Sequence, residues 1–307
     1  VTQTLPATPP ASAPRLTESR KAALAAAVTV LLWSSAFVAI RDVGHTLSAA
    51  PLALIRLAVA TVALTAIVLA TRGRRVVPVP LSRRTHALIA ACGVLWLAGY
   101  TVALNAGEQH VDAGTAALLV NVAPLLIAFG AGFFLGEGFP RALIAGSLVA
   151  LGGVAVISLG STGDRDGLGV ALCLLAAVLY TAGALIQKVV LRVTDGLTTT
   201  WLACVVGTAV LLPWTPQLVS ELADASLGAV LSAVYLGLFP TAIGFTTWAY
   251  ALKRMDAGRL SANTYVVPTV SVLMSWALLS EVPTVFGLVG GAISLVGVAI
   301  SRRRRRA

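Results

Sequence analysis

Residues 112–137 read DAGTAALLVNVAPLLIAFGAGFFLGE, and residues 256–281 read DAGRLSANTYVVPTVSVLMSWALLSE. Both stretches open on Asp-Ala-Gly, both carry a proline at the same place (Pro124 and Pro268), and both end in glutamate (Glu137 and Glu281). Shared apolar residues mean little in a chain that is 58% hydrophobic. An Asp, a Gly, a Pro and a Glu held in one register of 144 residues mark a duplication. The same register joins residues 93–155 to residues 237–299, pairing Gly93 with Gly237, Gly146 with Gly290, Leu151 with Leu295 and Gly153 with Gly297. A looser register of 147 pairs Trp33 with Tyr180 and Arg41 with Lys188. Duplicated apolar bundles are the architecture of carriers, whose similar halves move about a site between them.

Composition sets the class. Only 11% of the residues are charged, against about 25% in a soluble domain. Ten apolar spans follow one another, near 22–40, 50–70, 86–106, 113–135, 141–159, 167–187, 197–213, 227–251, 258–279 and 284–301. Each approaches the roughly 20 residues that cross a bilayer core. The reading is therefore an all-α integral membrane protein of ten transmembrane helices. The boundaries are a disordered cytoplasmic tail over 1–21, one five-helix repeat over 22–160, a second over 161–301, and a basic cytoplasmic tail over 302–307. Five is odd, so the second repeat enters the membrane inverted relative to the first.

The net charge of +10 sits where topology puts it. With both termini in the cytoplasm of a plasma-membrane protein, 19 of the 22 Lys and Arg residues fall on the inner side, the exceptions being Arg41, Arg56 and Arg165. That asymmetry is the positive-inside rule rather than nucleic-acid binding. The expected partners are a small-molecule substrate and membrane lipids. Cys92, Cys173 and Cys204 lie in apolar runs with neither metal spacing nor a disulfide framework. No metal or cofactor is expected, and the scattered carboxylates and three histidines form no catalytic cluster, so an enzyme is not expected.

The residues then resemble a known family. The first span ends Leu32-Trp33-Ser34-Ser35-Ala36-Phe37, the second carries Pro51 and Arg56, the fourth and ninth each run from a central proline to a glutamate, and the tenth has a glycine face from Gly287 through Gly290 and Gly291 to Gly297. This combination resembles the EamA-type family of the drug/metabolite transporter superfamily over residues 22–301. The resemblance implies an inverted-repeat bundle that moves small metabolites, often amino acids or related compounds.

Candidate site residues follow from polarity inside the spans. Trp33 and Tyr180 are repeat-matched aromatics well inside their helices, and Tyr100 and Trp248 join them as candidate substrate-binding side chains. Asn121 and Tyr265 occupy equivalent positions one turn before the prolines. A buried amide needs a partner or a wet cavity, so Asn121 either lines the substrate path or bonds another helix. Pro124 and Pro268 each remove a backbone hydrogen bond and are read as hinges, with a packing kink as the plainer account. Arg56, the basic residue within a span, is expected to form a gating ion pair with Asp42 or Glu108 in preference to holding a substrate carboxylate. Glu137 and Glu281 are assigned to fixing short connections. No acidic residue lies mid-span, which favours a facilitator or exchanger. The glycine face joins the two repeat ends, with a homodimer as the alternative. A channel or a non-transport membrane protein is the rival to a carrier.

Overall fold

Six helices begin at residues whose side chains close the exposed first turn: Thr17, Ser82, Asp166, Asp195, Ser226 and Thr284 accept from the backbone N–H of Arg20, Thr85, Leu168, Thr198, Ala229 and Gly287. Such short polar side chains satisfy donors that the helix itself cannot. The computed structural model describes residues 17–44, 46–73, 81–111, 113–159, 166–279 and 284–301. Glu281, Asp112, the basic terminal run and most of the N-terminal tail lie outside the described residues, as do the side chains of Arg41 and Asp42.

The described chain forms helical segments and no β-strand: α1 (Glu18–Val43), α2 (Ala49–Arg72), α3 (Arg83–Gly107), α4 (113–135), α5 (Arg141–Leu159), α6 (Gly167–Val190), α7 (Gly196–Ala223), α8 (Leu227–Arg254), α9 (257–279) and α10 (Val285–Ser301). Among the described residues, seven helices are long and apolar enough to cross a membrane, and Arg141–Ile157 and Val285–Ser301 are shorter apolar helices. Segment α9 includes a 3-10 turn, Ala262–Tyr265, directly before Val266–Leu279. In each of the seven, only 28–50% of the most apolar window is buried. Val62, Phe134 and Leu227, each more than 70% exposed, turn outward. Hydrocarbon is the solvent in which such a surface is stable.

Packing reveals how the halves relate. On α5 and α10, Gly146 stands opposite Gly297 and Gly153 opposite Gly290, so the two helices run antiparallel. The 144-residue register exchanges these two pairs with each other. Ala150 and Ser294 are mates in that register, and they meet: the Ser294 hydroxyl donates to the Ala150 carbonyl at 3.0 Å. A second meeting of mates lies between α2 and α7, where the Thr61 and Thr208 hydroxyls are 3.0 Å apart. Around it, Gly93 packs on the Ala203 carbonyl and the Val206 side chain, while Gly237 packs on the Arg56 carbonyl and the Val59 side chain. Residues 56, 59 and 61 thus correspond to 203, 206 and 208 in the 147-residue register. The first two helices of each half keep that register and the last three keep 144. The three-residue difference falls between the second and third helix of each half.

Small residues carry the α5–α10 contact because they let backbones approach where lipid supplies no hydrophobic drive. A Cβ at Gly153 would lie 2.5 Å from the Ser294 hydroxyl and 2.6 Å from the Gly290 carbonyl, whereas one at Gly152 meets nothing within 4 Å. Gly153→Ala should therefore destabilise the bundle by about 1–3 kcal/mol through overpacking, and Gly152→Ala should be neutral or mildly stabilising. Thermal unfolding of the two purified variants in one detergent checks the contrast.

At the end of α2, Arg72 bonds Asp195 at 2.8 Å and Thr198 at 2.7 Å, pinning α2 to the start of α7. Partial burial pulls the Asp195 carboxyl upward, but hydrogen bonds from Thr198 and Arg72 outweigh it and hold the group below the ordinary aspartate range. A carboxyl depressed on folding stabilises above its unfolded value and loses that contribution as pH falls through the folded one. Stability should accordingly decline below the ordinary aspartate range, by no more than about 1 kcal/mol from this partly exposed pair. Asp195→Asn should flatten the decline, as read from unfolding midpoints between neutral and acid pH.

Candidate functional site

Proline and the wide π turn shape the interior. α3 is π-helical over Gly93–Tyr100, and its repeat counterpart α8 is π-helical over Gly237–Ile243. Pro240 has no N–H to offer the Leu236 carbonyl, and the Thr241 hydroxyl takes that role at 2.8 Å. The Pro240 carbonyl in turn accepts from the Trp33 indole at 3.3 Å. π turns inside α-helices recur at functional sites, and here both flank one cavity.

The space within that cavity, its open mouth included, is about 700 Å³. Its aromatic end is Trp33, Trp96, Tyr180 and Phe245. The rings lock together: Trp96 stacks on Tyr180 at 5.2 Å, and Phe245 lies 5.1 Å from Trp96 and 5.4 Å from Trp33. Trp33 meets Tyr180 edge-on at 6.1 Å. Four rings drawn from α1, α3, α6 and α8 thus make an apolar wall from parts of both halves, stiffened by edge and offset contacts. Above it, toward the ends of the helices that join α1 to α2 and α3 to α4, the lining turns mixed: Phe37 and Ile40 with Arg56, Tyr100 and Asn121.

Of the residues expected from the sequence, Trp33, Arg56, Tyr100, Asn121, Pro124 and Tyr180 meet at this cavity. Trp248 stands behind it, stacked on Trp33 at 5.1 Å and only 1% exposed. Tyr265 is fully buried and packs with Leu143, Ala150 and Val298 of α5 and α10 instead. Pro268 is not part of the lining either. The prolines do not kink continuous helices. Asn121 and Val122 form a turn between Ala113–Val120 and Ala123–Gly130, so Pro124 sits second in a new helix, where its missing N–H costs nothing. Pro268 stands third in Val266–Leu279, just after the 3-10 turn. The Pro124 carbonyl accepts from the Ser261 hydroxyl of the other half at 3.3 Å.

Arg56 is 8% exposed, and its Nε has no hydrogen-bond partner among the described residues. Among the described residues no ion pair joins it to Glu108, one of its two expected partners. The other expected partner, the Asp42 side chain, is outside the described residues.

Trp96, Phe245 and Thr264 belong to the lining and were not legible from repeat matching. Their mates are Pro240, Thr101 and Val120, and the last two of these also line the cavity. The duplicated positions are kept while the residue types differ, so a search for matched residues passes over them.

On the face that carries the starts of α1 and α5 and the ends of α6 and α8, charged side chains tie the two halves together. Glu137 accepts from the backbone N–H of Ala257 at 2.8 Å and of Gly258 at 3.2 Å, capping the first turn of α9. It is flanked by Gly136 and Gly138, both at positive φ (73° and 71°), which turn the chain sharply around it. Its expected role was local, yet its carboxylate reaches into the other half. The Lys188 ammonium lies 3.8 Å from Glu137, donates to the Leu252 carbonyl at 2.7 Å and also bonds the Met255 carbonyl. Lys253 donates to the Thr194 carbonyl at 2.7 Å, and Arg254 pairs with Glu18 at 2.9 Å. A carboxylate at a helix N-terminus and a cation at carbonyl ends are each favoured by the helix dipole.

Comparison with known proteins bears on what this arrangement is for. Residues 20–159 and again 167–303 match the EamA-like transporter family. A probable terminal-alkyne amino-acid exporter of Streptantibioticus cattleyicolor is 41% identical over 92% of this chain and 94% of its own length. The uncharacterized transporter YdfC of Bacillus subtilis is 32% identical over 88% of this chain and 87% of its own. An uncharacterized transporter of Archaeoglobus fulgidus is 31% identical, covering 91% and 98%. A solved crystal structure, 21% identical, superposes with a TM-score of 0.74 over 92% of this chain and 96% of that one, a likeness of fold. The paired halves, the apolar spans and these matches agree: the chain is a multi-pass membrane transporter and belongs to the EamA-like transporter family.

Proposed function

We propose that the chain is a carrier of ten membrane-spanning helices in two inverted five-helix repeats, exporting amino acids or related small amphipathic compounds across the plasma membrane by alternating access. The observation that carries this reading is the cavity between repeat mates, walled by Trp33, Trp96, Tyr180 and Phe245 and lying on one side of a closed Glu137–Lys188 contact. Arg72, Arg83, Arg141, Lys188, Arg192, Lys253 and Arg254 gather on the face of that contact. The positive-inside rule supports reading that face as cytoplasmic, with both termini on the same side. The cavity then belongs to the outward half, and the contact at Glu137 closes the inward path. The name of the Streptantibioticus relative supports amino acids as cargo and export as direction.

Proteoliposomes loaded with a mixed set of neutral amino acids test the reading by mass spectrometry of the efflux. We expect selective efflux of aliphatic members, lowered about tenfold or more by Trp96→Ala, since truncating a fully buried aromatic leaves a large void in the wall. Efflux of nothing from folded protein would sink the proposal, and stepwise single-channel currents would replace a carrier with a channel.

Closure at Glu137 makes a second prediction. A Thr264→Cys substitution places a thiol in the cavity lining, against native cysteines that are all buried. Glu137→Gln removes the charge that caps α9 and faces Lys188, and we expect cytoplasmic labelling of that thiol by an impermeant maleimide to rise several-fold. Unchanged labelling would remove Glu137 from the gate. In sequence its repeat mate is Glu281, the natural counterpart on the external side.

A further inference from the structure

We infer that Arg56 is a carboxylate-binding subsite, and that with the aromatic wall it selects short-chain amphipathic molecules by their acid group. The inference rests on the carrier reading above and deepens it by naming the chemical handle that is recognised.

Four observations lead there. Arg56 lies within α2 and lines the cavity, and only 8% of its surface is exposed. Its Nε is buried without a hydrogen-bond partner, and no described carboxylate forms an ion pair with it. A guanidinium left so in a membrane interior is costly, and such residues usually serve a ligand or a path. Its repeat mate is Ala203, identified by the matching contacts of Gly237 and Gly93, so the charge is supplied once and is no requirement of the shared fold. The lining near it is otherwise uncharged: Phe37, Ile40, Tyr100, Thr101 and Asn121.

Helix geometry sets the length of the molecule. At 1.5 Å per residue, Arg56 lies about 10 Å below the start of α2, and Trp33 about 15 Å below the end of α1. Trp96 lies nearer the depth of Arg56, because Leu57 and Leu97, their chain neighbours, both meet Gly207. The cation and Trp33 of the ring wall are thus offset by about 5 Å along the cavity axis. A carboxylate on the Arg56 fork would project a side chain of about four to six carbons onto the rings, burying its apolar surface there.

The test uses the full chain in detergent micelles and follows the fluorescence of its cavity tryptophans during titration with four aliphatic probes: norleucine, hexanoate, norleucinamide and hexylamine. We expect the two acids to bind at least tenfold more tightly than the two probes without a carboxylate, the scale of a charge-assisted hydrogen bond. Arg56→Gln should erase the difference and Arg56→Lys should keep part of it, because an ammonium supplies charge without the planar fork. Equal binding of acid and amide by the wild-type protein would overturn the inference even if no variant folds, as would an acid preference that survives Arg56→Gln. Efflux from wild-type proteoliposomes separates this from the broader reading. Norleucine and norleucinamide moved at equal rates would remove the subsite and leave the carrier. No efflux of either, with no fluorescence response to any probe, would remove both.

Discussion

The close approach of backbones on glycine is the contact on which this bundle depends. In water, burying apolar faces would hold the helices together; among lipid chains that drive is absent. What remains is packing and polar bonding, and α5 and α10 obtain both where Gly146, Ala150 and Gly153 face Gly290, Ser294 and Gly297. This contact joins mates of the two halves in antiparallel fashion, as the Thr61–Thr208 contact does on the other side. With those two seams set, α1, α3, α6 and α8 are brought around a common interior, and the four rings of the cavity wall meet there.

Near-symmetry in the scaffold coexists with asymmetry in the cavity. Thr101 and Phe245 occupy equivalent places, as do Val120 and Thr264, and Trp33 and Tyr180. The backbone irregularities are shared as well: both third helices carry π turns, and both fourth helices break just before their proline. Backbone geometry was kept through duplication because the packing of each half needs it. Side chains facing the cavity were released from that constraint, since a ligand lying between two halves has no reason to be symmetric itself.

Much of the fold was legible in the sequence for the same reason. Prolines, glycines and terminal acids mark where the backbone bends, packs or is capped, and these were the residues that matched across the register. The site was legible only in part. Trp33, Tyr100, Asn121 and Tyr180 reached the cavity, but Tyr265 did not, because the 3-10 turn before Val266 rotates it toward α5 and α10. Trp96 escaped notice because its mate is a proline, and nothing local distinguishes a lining tryptophan from a lipid-facing one such as Trp276. Glu137 directly follows the end of a helix, but a sequence cannot say that its carboxylate spans to another helix in the opposite half.

The seam between mates has a consequence for what a single chain can become. A two-fold assembly of separate identical subunits presents every substitution twice, so a lone charge in its shared cavity is unattainable. Here the Thr61–Thr208 and Ala150–Ser294 contacts retain the form of a self-association, yet Arg56 faces the interior once, against Ala203 on the other side. Joining the halves in one polypeptide separated the inheritance of the scaffold from that of the cavity. The cavity lining could then change on one side while the counterpart on the other kept the seam intact.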